Sequence, residues 1–214
     1  MQAARDRVRD ADGEIPVPWV ALGDSYTIGT SVEFRWRWPN QLADRLRTRG
    51  IDLSPVVNMG VDGFTSSDVV RDELPRLDQI SFGFASLLIG VNDVIRGITA
   101  DRYAANLAII LDALLARLPA ARLLTVSTPD YTVTPAGRAY GEPVARAAGI
   151  RTLNAVLAAA SGARNIAHVD IHDLSLLAAH DRSLVAEDGL HPSGAQYALW
   201  VDRIEPVVAR LLGA

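Results

Sequence analysis

The chain has 214 residues, 49% of them apolar, which is enough to bury one good core and too short for several domains. Its formal charge of −4 gives no electrostatic footprint for nucleic acid, and all of its basic residues are arginine. It has no cysteine, which excludes a disulfide framework and a thiolate metal site.

The N-terminal stretch "MQAARDRVRDADGE" is charged throughout and lacks the apolar run of a signal peptide. Residues 1–14 are therefore expected to be a flexible segment ahead of a single domain over 15–214. No segment approaches the length of a membrane span, and the expected location is the cytoplasm.

Along the chain, five short apolar runs read as strands: "VPWVAL" (17–22), "SPVVNM" (54–59), "FASLLIG" (84–90), "ARLLTVS" (121–127) and "NIAHVDI" (165–171). Helical patterns fall between them. "NQLADRLRTRG" ends at Gly50, "TSSDVVRDEL" follows the second run, and "DRYAANLAIILDALLARLP" opens at Asp101, a residue able to cap, and stops before Pro119. The closing "SGAQYALWVDRIEPVVARLL" puts Ala198, Val201, Ile204, Val208 and Leu211 roughly on one face. This βα alternation predicts a parallel sheet covered on both faces through right-handed crossovers. The segment "TPDYTVTPAGRAYGEPV" interrupts the rhythm with glycines and prolines, and reads as a long substrate-facing excursion after the fourth strand.

Four short motifs then fall after strands, at the carboxyl edge of the sheet where open α/β folds bind ligands. Ser25 in "GDSYTIG" follows the first strand and Gly60 in "VNMGVDG" the second. Asn92 in "IGVND" follows the third, and "EDGLHPSG" the fifth. A serine hydroxyl is a weak nucleophile unless a base takes its proton and a third group orients that base. Ser25, His191 and Asp188 supply those types, the last two three residues apart. The oxyanion of an acyl intermediate needs fixed donors. The backbone N–H of Ser25, the backbone N–H of Gly60 and the amide of Asn92 fit that need.

Taken in order, "GDSYTIG", Gly60, "GVND" and "DGLHPS" resemble the blocks of the SGNH hydrolases, the GDSL-type esterase and lipase family, from Gly23 to Ser193. Tyr26 stands where the family's name has leucine. The resemblance implies a flavodoxin-like three-layer α/β/α sandwich around a five-stranded parallel sheet. It also implies a Ser25–His191–Asp188 triad that needs no metal or cofactor, and hydrolysis of carboxylic esters or thioesters. Small acyl groups are expected because the sequence has no long apolar lid segment to cover a lipid tail. Two other readings share the scaffold: an acyltransferase with the same triad, and a binding domain without catalysis.

The remaining motifs take plainer readings. Asp24 and Asp93 read as turn scaffolding. In "HVDIHD", strand alternation puts His168, Asp170 and His172 on one face, a metal triad by residue type, although hydrogen bonds at a strand end satisfy the same face. His180 reads as a solvated helix-end residue. In "EFRWRWPNQL", Trp38 reads as core, Trp36 is a candidate wall of the acyl pocket, and Arg35 and Arg37 are expected in solvent.

Overall fold

The computed structural model describes residues 16–213; the N-terminal segment 1–14 lies outside the described residues. The strands are β1 (Trp19–Gly23), β2 (Val56–Asn58), β3 (Phe84–Leu88), β4 (Leu123–Val126) and β5 (Ala167–Val169). They form one sheet in the order β2-β1-β3-β4-β5, all pairs parallel, with helices on both sides. This is a three-layer α/β/α fold with the flavodoxin-like strand order, in which the chain reverses direction across the sheet beside β1. The central strands β1, β3 and β4 are buried along their whole length, which explains why they read as continuous apolar runs and not as alternating ones.

The helices are α1 (Ser25–Ile28), α2 (Trp38–Arg47), α3 (Ser66–Asp68), α4 (Val91–Ile95), α5 (Ala100–Leu115), α6 (Pro143–Gly162), α7 (His172–Leu176) and α8 (Gly194–Leu212). α2 packs with α8, while α5 packs with α6 and α3. Trp19 anchors the core: its ring lies 5.5 Å from that of Trp38 and 5.9 Å from that of Phe84, and its indole N–H donates to Ser86 Oγ at 3.0 Å. A buried tryptophan needs such a partner for its one polar atom. Tyr197 and Trp200 join Val201, Ile204 and Val208 on the buried face of α8.

Three local expectations change. α5 begins one residue before Asp101 and is capped by the Thr99 side chain, which accepts from Arg102 N. The predicted "TSSDVVRDEL" helix opens with a Thr65–Asp68 capping box, then passes through a π-helical turn at Val69–Glu73. The excursion after β4 ends at Pro143, because Glu142 caps the 20-residue helix α6 there, accepting from Val144 N and Ala145 N.

The π turn carries Glu73, fully buried, behind the end of β1. Its carboxyl accepts from Gly23 N at 3.2 Å and 3.4 Å. Burial pushes its pKa up to about 9; the Gly23 N–H works against that shift and the nearby Asp24 adds to it. Burial likewise raises Asp24 to about 8. A carboxyl with a raised folded-state pKa stabilises the fold fully below its unfolded value and loses that contribution as pH climbs to the folded value. For Glu73 the window is about 4.5 to 9. Glu73→Gln keeps a neutral acceptor for Gly23 N. The difference in melting temperature between the variant and the parent is therefore expected to move in the variant's favour as pH rises through this window. A difference independent of pH would refute the buried neutral acid.

Candidate active site

β1 ends in Gly23, and Asp24 caps the one-turn helix α1 by accepting from Tyr26 N at 3.0 Å. This puts Ser25, only 6% exposed, at the first turn of α1 beyond the carboxyl end of a central strand. Asn92 sits on α4 directly after β3. His191 comes from a short loop in which Val185 pairs antiparallel with Pro192 and Ala186 N donates to His191 O at 2.8 Å; Ser193 then caps α8. Ser25, Asn92 and His191 line one pocket of about 240 Å³, together with Tyr26, Asp62, Gly63, Val91, Ile95, Tyr131, Tyr140 and Leu190. Among the described residues no direct hydrogen bond joins Ser25 to His191; such bonds are often long in unliganded enzymes and tighten when substrate arrives.

Asp188 Oδ2 lies 2.6 Å from His191 Nδ1, while Oδ1 accepts from Leu190 N (2.8 Å) and His191 N (2.9 Å). Partial burial works against the charge on Asp188. The hydrogen bonds from Ser31, from the His191 ring and from these two backbone N–H groups outweigh it and hold the carboxyl well below the usual range. Asp188 thus stays ionised in acid that protonates an ordinary aspartate. A carboxylate against Nδ1 leaves Nε2 as the free basic nitrogen of a neutral imidazole.

The matching family model is that of the GDSL-like lipase/acylhydrolase family, and it spans residues 21–199. The chain belongs to this family. It is a serine ester hydrolase. Similar solved structures include the psychrotrophic esterase EstA from Pseudoalteromonas sp. inhibited by monoethylphosphonate, at 18% identity over 92% of this chain and 99% of that one, with a TM-score of 0.68. TesA is similar at 20% identity over 91% and 99%, TM-score 0.68. A member of the lipolytic G-D-S-L family from Veillonella parvula is similar at 17% identity over 90% and 98%, TM-score 0.69. No curated protein sequence matches the chain.

Within this GDSL-like chain Gly60, the glycine expected at the oxyanion site, stands apart from the pocket lining. Gly60 does not line the pocket: its N–H donates to Asn58 Oδ1 at 3.1 Å, and a Cβ there would fall 2.6 Å from Ile28 N and 2.7 Å from Asp24 O. It is glycine because α1 crosses directly over it. Gly63, three residues on, lines the pocket with φ +77°, and no acceptor among the described residues takes its N–H. Its turn is clamped from both sides, since Arg96 donates to Gly63 O at 2.8 Å and Asn92 Nδ2 to Phe64 O at 2.9 Å.

Ser31 also escaped the sequence reading. Its hydroxyl donates to Asp188 Oδ2 at 2.6 Å, and it is held at φ +66°, an unfavourable conformation for a non-glycine residue. The only sequence signal was its place just beyond Gly29. Ser31→Gly relieves the backbone and deletes the hydroxyl. Asp188 retains its other bonds, so kcat is expected to fall by only about tenfold, the scale of one charge-assisted hydrogen bond. An unchanged kcat would make Ser31 a structural residue alone.

Tyr26 is buried, with its ring 5.6 Å from that of His191 and its carbonyl accepting from Tyr197 Oη at 3.2 Å. The substitution of the family's leucine therefore puts an aromatic wall beside His191. Asp24 and Asp93 are scaffolding: Asp93 accepts from Ser66 N at 2.9 Å and from Ser66 Oγ. His168, Asp170 and His172 take separate partners. His168 Nδ1 meets Thr125 Oγ1 at 3.0 Å, Asp170 accepts from Ser127 Oγ at 2.7 Å, and His172 Nε2 lies 3.7 Å from Asp130. Among the described residues no group of three or more such side chains is placed to hold a metal ion. His180 is exposed. Trp38 is fully buried in the core, whereas Trp36 lies against Gly194 at the start of α8 and lines none of the pocket. Arg35 pairs with Glu33 at 3.2 Å. Arg37, expected in solvent, is half-buried with its stem over Gly29.

Proposed function

We propose that the chain hydrolyses esters of small acyl groups through an acyl-enzyme on Ser25. The observation that carries this reading is the His191–Asp188 pair held at 2.6 Å on the wall of the pocket that also contains Ser25. Ser25 Oγ attacks the acyl carbonyl while His191 Nε2 accepts its proton and then delivers it to the leaving alcohol. Water repeats the sequence on the acyl-enzyme. Asp188 fixes the tautomer of His191 and stabilises the imidazolium. The N–H groups of Ser25 and Gly63, with the second amide hydrogen of Asn92, form the oxyanion site; Gly63 takes the place first given to Gly60.

The pocket supports the choice of a small acyl group. At about 240 Å³ it lies below the ~300–1,000 Å³ common for drug-sized ligands, and Val91, Ile95, Tyr131 and Leu190 form an apolar wall. Turnover of a homologous ester series is expected to be highest for short acyl chains and to fall as the chain lengthens. A preference for long chains would overturn the size assignment.

The covalent step has a direct test. A fluorophosphonate ester should add one phosphonyl group per chain, mapped by mass spectrometry to Ser25 and lost in Ser25→Ala. Labelling elsewhere, or none, would refute the nucleophile and favour a binding domain on the same fold. The acyltransferase alternative is separated by adding a second alcohol to the assay, where a new ester must appear in place of free acid.

A further inference from the structure

The strand end that presents Ser25 is held from behind by one side chain. Gly23 closes β1 beside Leu88 of β3, and its N–H goes not to a strand carbonyl but to the Glu73 carboxyl, 3.2 Å and 3.4 Å from its two oxygens. The Gly23 carbonyl accepts from Val61 N at 3.2 Å, and Val61 O accepts from Phe64 N at 3.2 Å, closing the turn that carries Gly63. Both backbone donors of the oxyanion site therefore hang from Gly23: Ser25 lies two residues along the chain, and Gly63 is reached through this turn. Taking the serine-esterase reading and its oxyanion site as given, we propose that Glu73 is a positioning residue for the reaction, which by fixing Gly23 sets where the N–H groups of Ser25 and Gly63 point.

Gly23 needs an outside hold. It has no side chain of its own to anchor it and stands at φ +147°, where a Cβ would fall 2.1 Å from Leu88 O and 2.5 Å from Thr27 Oγ1. Backbone in so sparsely populated a region keeps its place only where the surroundings over-determine it. Glu73 is that constraint on the N–H side. It is fully buried, and among the described residues Gly23 N is the only donor to its carboxyl. A carboxyl is costly to bury for one bond, and the helix departs from regularity to bring it there. Pro75 lacks an N–H and its ring meets the carbonyl four residues back, so the chain takes a π turn over Val69–Glu73, closed by Leu74 N on Val69 O. Turns of this kind recur at functional sites.

The surroundings keep Glu73 a neutral acid at neutral pH. Burial is the main cause of its raised pKa; Asp24 beyond β1 and Asp72 on its own turn add to it, while the Gly23 N–H and Arg76 on the following turn, Leu74–Gln79, work against it. On α3 Asp68 is taken by Thr65 and Arg71, and on α5 Tyr103 donates to Ile89 O at 2.7 Å. Asp24, raised to about 8, ionises before Glu73, raised to about 9. Loss of the Glu73 proton therefore puts a second buried negative charge beside an existing one, and repulsion drives the carboxyl away from the strand end. The hold on Gly23 is present below about 9 and is lost as pH rises through that value.

The test compares the parent with Glu73→Gln and Glu73→Met on one short-acyl ester. Fluorophosphonate labelling of Ser25, run to completion, counts intact sites, so that kcat is read per intact site. Glu73→Gln keeps a neutral acceptor for Gly23 N and at neutral pH should stay within about threefold of the parent. Glu73→Met keeps the bulk and removes the acceptor. Its kcat should fall about 10–100-fold with KM changed by less than about threefold, because displaced donors weaken the transition state more than the bound ester. Should Glu73→Met fail to fold, the pH profile decides. The ratio of kcat in Glu73→Gln to that in the parent should climb as pH rises through about 9, since glutamine has no proton to lose and Asp24 is common to both chains. A parental kcat in Glu73→Met, a loss confined to KM or to the count of intact sites, a Glu73→Gln as slow as Glu73→Met, or a ratio flat in pH overturns the positioning role and leaves the esterase standing. A parent that turns over no ester and leaves Ser25 unlabelled overturns both.

Discussion

Ser25→Ala and His191→Ala are each expected to lower kcat by about 10⁵–10⁶, and the double variant by no more than either alone. The reason is that the hydroxyl is a usable nucleophile only while the imidazole removes its proton. Once one of them is gone, the other has no remaining task. Asp188→Ala should cost less, about 10⁴, since it acts through His191. That smaller loss is still large, because Asp188 Oδ2 meets the ring at 2.6 Å and Oδ1 binds the His191 backbone N–H, so one carboxylate sets both the tautomer and the position of the histidine. Steady-state kinetics on one short-acyl ester, with protein concentration set by absorbance and folding of each variant checked by its melting temperature, measures all four variants. Losses that multiply in the double variant would mean that Ser25 and His191 act independently, and the shared mechanism would fall.

The strands were legible because a parallel sheet buries both faces, and burial on both faces writes continuous apolar runs such as "VPWVAL" and "FASLLIG" into the chain. The carboxyl-edge positions of Ser25 and Asn92, each directly after its strand, then followed from the connection rules, whereas His191 reaches the edge only beyond α7, in the loop before α8. Helix α6 was harder to see. Its buried residues Ile150, Leu153, Leu157 and Ser161 keep helical spacing, but alanines occupy many of the intervening positions and blur the contrast between faces. The preceding glycines and prolines also drew the segment into the excursion. Gly60 and Gly63 show a different limit. Both are required to be glycine, one by a helix packed against it and the other by a left-handed turn in the pocket, and "NMGVDGF" does not say which is which. The contact of Ser31 with Asp188 joins residues 157 apart, and no local pattern records it.

Asn92→Ala is expected to lower kcat by about 10²–10³ with a smaller change in KM, because a donor aimed at developing negative charge matters more in the transition state than in the bound ester. The amide has two hydrogens, and Phe64 O takes one at 2.9 Å. That bond does structural work: it holds the turn that presents Gly63 N, so an alanine removes one donor and loosens a second. The two effects separate through Arg96, which clamps the same turn by donating to Gly63 O at 2.8 Å from outside the pocket lining. Arg96→Met loosens the turn and leaves the Asn92 amide in place. It should therefore cost kcat clearly less than Asn92→Ala. Gly63→Ala attacks the same turn from the backbone: a Cβ has room there, with Arg96 3.6 Å away, but φ +77° is unfavourable for alanine, so the peptide must rotate and carry its N–H off the oxyanion position. Its kcat should fall toward that of Asn92→Ala. If Arg96→Met proves as damaging as Asn92→Ala, the amide's role is to hold the turn, and the oxyanion is stabilised by backbone N–H groups alone. If Asn92→Ala raises KM and spares kcat, Asn92 positions the ester and stabilises no charge.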